Sequence, residues 1–470
     1  NLKIAKMFKF YIDNFRSFKD QEFNFSKINI LIGENNSGKS SLLKFFLALK
    51  QSIAFSPKSN FSLMDDLVDL GYYEDIVYNH DIEKLITFAF EFDNKYKDFF
   101  DSFMYPVESP DIDENKKKKY AEIKKLIDGI EDFKVRAEFI LSKDLSANKE
   151  ISSNFINSKL GKLSIKANLE TSRPIDPTDE PKCTISYRND NINFESNIIE
   201  FEKKSFLSLI VGKSLKSELD VNKIDPDFYY KIAYLLVSQN YLDFLCSQIT
   251  FFNPLDSKPE RLYIKNDTSN YFKNDLNRFV NLLSEPDISQ DVLARIFSEI
   301  NSILNDFGIA EELLLVKDNK LPVKELRVKI KNIFSNIKDV GYGVALQIPL
   351  FFELILNKEY RKIFLIEQPE VHLFPKLQAK FIETLIKHSN DSNIFFIETH
   401  SEHIIRKLQV LIKESKYGLK PEDVSIHYLV RGDKKSNVTE HRIDNKGILS
   451  PIFPKGFFDT SYTLVKELLD

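Results

Sequence analysis

The chain of 470 residues has no tryptophan and only two cysteines, Cys183 and Cys246, far apart in unremarkable surroundings. Two such thiols make no disulfide framework and suit a reducing compartment. No run of about 18 uninterrupted apolar residues occurs, so a membrane-spanning helix is not expected. The first residues lack the pattern of a secretion signal. Charge of one sign is not in excess either. Sixty-six basic residues face 70 acidic ones, a net of −4, so no global field advertises a nucleic acid or a membrane, although averages conceal local patches. A cytoplasmic protein is expected. Abundant Lys, Asn, Ile and Phe reads as the mark of an AT-rich genome rather than of function. What remains is a globular composition, 43% hydrophobic and 29% charged, in a chain long enough for two or three subdomains.

The most informative stretch is Gly33-Glu34-Asn35-Asn36-Ser37-Gly38-Lys39-Ser40, preceded by the apolar Ile28 to Ile32 and followed by the helix-like Ser41 to Phe46. Strand, glycine-bounded loop and helix follow one another with the GxxxxGK[ST] spacing. Glycines let such a loop wrap closely, so that backbone N–H groups and the helix N-terminus point at phosphate oxygens. Lys39 is expected to reach the β and γ phosphates and Ser40 to offer its hydroxyl to Mg²⁺. An ordinary strand-to-helix turn rarely carries all four fixed positions in that context. A nucleoside triphosphate is the expected ligand.

Upstream, residues 5 to 32 read as two strands, and the helix after the loop runs to about Lys50. A strand follows at Leu85 to Phe92. Beyond residue 97 the character changes. Lys116 to Lys119 reads as a solvated helix face in preference to a phosphate-binding arm. Strand-like segments at Phe133 to Leu141, Leu163 to Leu169, Thr184 to Arg188 and Ile198 to Glu202 flank a loop at Arg173 to Pro181. They suggest an antiparallel sheet inserted beside the core. Residues 203 to 336 read as mostly helical, as at Tyr229 to Leu236 and Val292 to Phe307, with a strand entering a loop at Ile249 to Arg261.

The last part returns to strand and helix in alternation. Ile363 to Ile366 and Asn393 to Ile397 read as buried parallel strands, each followed by an amphipathic helix. That order gives an α/β fold with helices outside a parallel sheet. Glu367 ends the first strand, where a phosphate loop needs a carboxylate for Mg²⁺. Gln368, Pro369 and Glu370 follow. His400 stands at the tip of the second strand, within reach of a γ-phosphate or an attacking water. Ahead of both lies Asp339 to Gln347, a turn with Gly341 and Gly343 that opens a helix.

Taken in order, these features resemble the ABC-type ATPases of the SMC, RecF and OLD group. The matches are Asn14-Phe15-Arg16-Ser17-Phe18, the phosphate loop, Asp339 to Gln347 as a degenerate signature, Glu367 to Pro375 as Walker B with D-loop, and Glu398 to His403 as the H-loop. The tail Gly447 to Asp459 is similar to the closing motif of one branch, and Phe251 to Arg261 is a fainter match to an arginine-bearing segment. The resemblance covers residues 1–93 and 336–470 well. It implies an ABC-type ATPase head with a P-loop parallel sheet, an inserted antiparallel β subdomain and a helical lobe. The corresponding divisions are 1–93 for the N-terminal ATPase lobe, 94–202 for the inserted sheet, 203–335 for the helical insertion and 336–470 for the C-terminal lobe.

It further implies a homodimer that sandwiches ATP between the phosphate loop of one subunit and the signature turn of the other, with higher oligomers allowed. Gly33, Asn35, Asn36, Ser37, Gly38, Lys39, Ser40 and Ser41 would hold the nucleotide, with Arg16 near it and Gly341 and Gly343 contributed by the partner. Ser40 and Glu367 would hold Mg²⁺, and His400 would be the switch histidine. Such proteins often serve antiviral defence against phage beside a separate effector, a nuclease or toxin encoded nearby. A DNA-processing ATPase of the RecF kind, clamping DNA, is the alternative, and a regulatory protein with structural ATP is a third.

The position after the Walker B acid usually carries a glutamate that polarises water. Here it is Gln368, and an amide accepts no proton, so hydrolysis is expected to be slow unless Glu370 substitutes. No glutamine stands out as a Q-loop, and Gln51 lies too close to the end of the first helix. His372, His400 and His403 invite a metal-site reading, against which the role already given to His400 argues. Glu398 and Glu402 could be nuclease carboxylates, but a nuclease of the OLD type requires a further acidic domain after the ATPase, so no nuclease is expected in this sequence. The phenylalanines of Pro454 to Phe458 read as core packing before partner docking.

Overall fold

The computed structural model describes residues 8–55, 61–93, 130–143, 147–157, 161–170, 182–189, 192–196, 201–202, 210–211, 246–254, 258–264, 276–285, 288–318, 321, 323–358, 360, 362–454, 457–458 and 466–468. The lysine run at 116–119, the loop at 173–181 and the helix expected at 229–236 lie outside them. The chain forms two compact units. The first comprises Asn1–Phe25, Asn36–Ile249 and Arg431–Ser436, and the second comprises Ser26–Asn35, Thr250–Val430 and Asn437–Asp470.

The N-terminal segment holds three strands where two were expected: β1 (Phe8–Asp13), β2 (Gln21–Phe25) and β3 (Ile28–Gly33). The break between the last two falls at Ser26, where the Asn29 side chain accepts the Ser26 N–H and returns a bond to its carbonyl. In the first unit β1 and β2 join β4 (Ile86–Asp93), β5 (Ile130–Leu141), β6 (Ala147–Asn157), β7 (Gly161–Glu170), β8 (Lys182–Asn189) and β9 (Ile192–Ser196). They form one eight-stranded antiparallel sheet in the order β2-β1-β4-β5-β6-β7-β8-β9. The strands expected as an inserted antiparallel sheet continue the N-terminal sheet, because β5 pairs with β4 from Ile86↔Leu141 to Asp93↔Lys134. A short pair, β10 (Phe201–Glu202) and β11 (Ile210–Val211), stands apart.

Helix α1 (Lys39–Phe55) packs on this sheet, followed by the single turn α2 (Tyr73–Ile76). Alternation along β1 buries Phe8, Phe10 and Ile12 on one face. Phe10 meets Phe46 of α1 with ring centroids 5.1 Å apart, Phe45 meets Phe88 of β4 edge-on at 5.0 Å, and Phe88 stacks on Phe139 of β5 at 4.8 Å. Aromatic pairs of this kind add about 0.5–1.5 kcal/mol each beyond burial. Gln51 near the end of α1 is buried and spends its amide on the following loop, bonding Ser62 O, Val68 O and Val68 N.

The second unit is built on the sheet β12-β17-β18-β3-β19-β20-β21. Its strands are β12 (Ile249–Phe252), β17 (Ile363–Glu367), β18 (Ile394–Glu398), β19 (Val424–Arg431), β20 (Ser436–Ile443) and β21 (Leu449–Ser450). β17, β18, β3 and β19 are mutually parallel, and β3 is buried along its whole length, as a central parallel strand should be. Helices α3 (Leu276–Leu282), α4 (Gln290–Phe307), α5 (Tyr342–Ala345), α6 (Ile348–Leu356), α7 (Pro375–His388) and α8 (Glu402–Lys413) complete it. The helix expected over Val292 to Phe307 is α4. Ser289 caps it through Val292 N–H, and Gly308 ends it in the left-handed region.

The helical reading of residues 203 to 336 fails at its C-terminal end. There β14 (Glu312–Lys317), β15 (Val323–Ile330) and β16 (Ile333–Asn336) join the earlier β13 (Tyr263–Ile264) in a small antiparallel sheet. Leu326 and Val328 are fully buried and recur at two, the strand period. The terminal phenylalanines pack inward. Phe457 lies 4.8 Å from the Tyr428 ring, Phe453 stacks on His441 at 4.4 Å, and Arg406 of α8 sits over Phe458.

Candidate nucleotide site

The glycine-bounded loop joins β3 to α1, and the chain passes from the second unit to the first between Asn35 and Asn36. Gly33 closes β3 at φ +144°, so close to β19 that a Cβ there would stand 1.9 Å from the Leu429 carbonyl oxygen. Glu34 N–H then bonds that same oxygen at 3.1 Å. Asn35 and Asn36 are exposed, Asn36 at φ +60°. Ser37 is buried, and Gly38 turns at φ +98° into α1. Lys39, the first helical residue, is only 4% exposed, while Ser40 and Ser41 are half-buried. The first turn of α1 holds no acidic residue. Its partial positive charge and orphan N–H groups are therefore not answered by a carboxylate of the helix itself. These residues fit an anionic phosphate group.

Arg16 belongs to the same unit. It sits at φ +48° and donates to Ser41 Oγ at 3.3 Å and to Leu70 O at 3.4 Å. Burial draws its guanidinium below the ordinary value while Asp75 pulls the other way. Arg16 is thus joined to the first turn of α1 through Ser41.

In the second unit Glu367 ends β17 and Glu398 ends β18, and the two are direct partners in the parallel register. Two carboxylates stand side by side at the C-terminal ends of neighbouring strands, where ligands meet open α/β sheets. Gln368 follows at φ +45°, and its N–H bonds Glu398 O at 2.8 Å. Glu370 reaches across, its Oε1 accepting the His400 N–H at 2.6 Å. Burial pushes the Glu370 carboxyl above the ordinary range, against the opposing pull of that N–H. His400 itself is exposed, and Ser401 behind it caps α8 through Ile404 N–H. The Walker B turn and the histidine loop are therefore hydrogen-bonded to each other twice.

The signature-like turn lies against the same segment. Gln347 donates to Pro369 O at 3.2 Å, and the Tyr342 ring lies 5.6 Å from that of His372. A Cβ on Gly343 would come within 2.7 Å of the His372 carbonyl oxygen, whereas one on Gly341 would meet nothing. Asp339 at the base of the turn takes both terminal nitrogens of Arg261, at 3.0 and 2.5 Å. Asn336 bonds Arg261 O, Glu325 and Lys338 N. Among the described residues no group of three His, Cys, Asp or Glu could hold a metal ion.

The sequence reading missed the pairing of Glu398 with Glu367, which the equal spacing of each glutamate from its apolar run could have signalled. It also missed Ser436, whose hydroxyl donates to the Ser37 carbonyl at 2.8 Å. Nothing near residue 436 in the sequence marks it.

Residues 419–468 match a family described as a protein of unknown function (DUF3696). Among solved structures the chain is similar to an SMC head bound to the C-terminal winged-helix domain of ScpA. That likeness is at 13% identity and a TM-score of 0.43, covering 93% of this chain and 98% of the other. It is also similar to the SMC head domain from Thermotoga maritima, at 11% and 0.35 over 93% and 98%. A third is an SMC head with an extended coiled coil, bound to the C-terminal domain of ScpA derived from Pyrococcus furiosus, at 11% and 0.38 over 99% of both chains. No curated protein matches the chain. Residues 6–405 match the family model described as AAA ATPase domain, and the chain belongs to that family.

Proposed function

We propose that this chain binds MgATP, hydrolyses it slowly, dimerises on it and thereby controls a separate effector. The observation that carries the reading is Lys39, buried at the head of a 17-residue helix with no acid in its first turn. Lys39 and the loop N–H groups would hold the phosphates, and Ser40 and Glu367 the Mg²⁺, which when bound draws charge from the phosphates. His400 would stand at the γ-phosphate. Glu370, with its carboxyl raised by burial, would be the base that Gln368 cannot be. The exposed turn at Gly341 and Tyr342 would meet the nucleotide of a second subunit. Defence against phage, with a nuclease or toxin as the effector, is the setting this reading favours.

Clamping of DNA is a second reading, supported by lysines gathered in the first unit. The ammonium groups of Lys19 and Lys84 lie over the Tyr78 ring at 5.6 and 5.4 Å. Tyr78 in turn donates to the carbonyl of Lys434.

The test is ATP turnover and ATP-driven dimerisation of the purified protein beside Lys39→Ala and Glu370→Gln. Loss of both properties in Lys39→Ala is expected, with binding retained and turnover lost in Glu370→Gln. Wild-type protein that neither binds ATP nor dimerises would sink the proposal. Turnover stimulated by DNA would favour the second reading.

A further inference from the structure

The C-terminal segment that matches a family of unknown function places one element in the first unit, the turn between β19 and β20, Arg431–Ser436. Gly432 N–H closes it on Lys435 O at 3.0 Å. Three bonds then fix it to its surroundings. The Tyr78 hydroxyl donates to Lys434 O at 2.7 Å, Ser436 N–H donates to Ser17 O at 2.9 Å, and Ser436 Oγ donates to Ser37 O at 2.8 Å. Ser436 is 2% exposed.

The last two bonds share one residue and end on the two halves of the phosphate-loop support. A Cβ at Gly38 would stand 2.8 Å from Ser17 Oγ and 2.9 Å from the Phe18 ring, so the loop lies directly on the Ser17–Phe18 turn. Ser436 holds that turn by its N–H and the loop by its hydroxyl. In a trans peptide the C=O and the next N–H point in opposite directions. Anchoring the Ser37 oxygen on the hairpin side therefore turns the Gly38 N–H away from it. Successive loop N–H groups aimed one way are what makes an anion cradle. The Ser37 side chain does not supply this anchor, since its own Oγ is buried with no partner among the described residues.

We infer that Ser436 is a positioning residue for the phosphate loop, and that through it the C-terminal segment sets the affinity for ATP. The inference rests on the nucleotide reading above. Whatever binds or modifies the Arg431–Lys435 turn then acts on nucleotide occupancy without touching the nucleotide.

The experiment measures the dissociation constant of a fluorescent ATP analogue and the nucleotide-free melting temperature for the full chain, Ser436→Ala, Tyr78→Phe and Lys39→Ala. Tyr78→Phe removes a hydrogen bond to the same turn but none to the loop peptide. Ser436→Ala should weaken ATP binding about tenfold, the scale of one lost hydrogen bond. Tyr78→Phe should lower the melting temperature comparably and leave affinity within about twofold. Wild-type affinity in Ser436→Ala, or affinity losses in both variants that follow their melting temperatures, would overturn the inference. Absence of ATP binding by the wild-type chain, or its survival in Lys39→Ala, would instead remove the nucleotide reading beneath it.

Discussion

Gly33 and Glu370 show how single residues carry opposite kinds of constraint. At Gly33 both backbone conformation and space demand the absence of a side chain, with φ at +144° and a β19 carbonyl where Cβ would be. Gly33→Ala is expected to cost about 4 kcal/mol or more, or to leave the protein insoluble. Chemical denaturation of whatever folds would check this. Glu370 is instead held in a place that disfavours its charge. Its folded-state pKa is raised above the ordinary 4.5. The folded chain thus holds the proton more tightly than the unfolded one, and the associated stability is full below that value and lost as pH rises through the raised one. Glu370→Gln keeps an acceptor for the His400 N–H but does not titrate. Its melting temperature relative to wild type should rise as pH is raised from about 4.5, and scanning fluorimetry from acid to neutral pH would show this. A flat difference would mean that the carboxyl is not desolvated. Gly33 was legible in the sequence because its role is local. The environment of Glu370 was not, because the N–H it accepts lies thirty residues on.

At the scale of elements, the signature turn and the Walker B turn act as one piece. Gly343 can be so close to the His372 carbonyl only because it lacks Cβ. Gly343→Ala should displace that contact at a cost of about 1–3 kcal/mol, offset by up to about 1 kcal/mol of helix propensity. Gly341→Ala meets open space and should stay within about 0.5 kcal/mol of wild type. If the turn serves dimerisation, ATP-driven association measured by light scattering should weaken in both, in Gly341→Ala without loss of stability. Equal, wild-type association in both would detach the turn from that role. Elements near the loop were readable because apolar runs and glycines repeat a known spacing. The sheet β13 to β16 was not, since β13 and β16 span two and four residues and the surrounding helices dominate any window wide enough to show a period.

At the scale of the molecule, sequence order and spatial order diverge. The central strand β3 comes from the first tenth of the chain but lies between β18 and β19 from the last fifth. Removing residues 419–470 would take β19 away with its buried Ile426 and Leu429, exposing one hydrogen-bonding edge of β3. Such a truncation should be insoluble or retain little cooperative unfolding, as circular dichroism would report. A soluble, cooperatively folded product would contradict the sheet order. Local patterns name strands but not their neighbours, which is why α/β alternation was legible while the placement of the C-terminal segment beside the phosphate loop was not.

That order has a consequence for the chain as it is made. β3 and the phosphate loop are made before the strands that flank β3 and the serine bonded to the loop, which come some 400 residues later. Closing so long a connection is slow compared with local folding. A growing chain therefore carries the phosphate-loop motif without Ser436 until β20 is made.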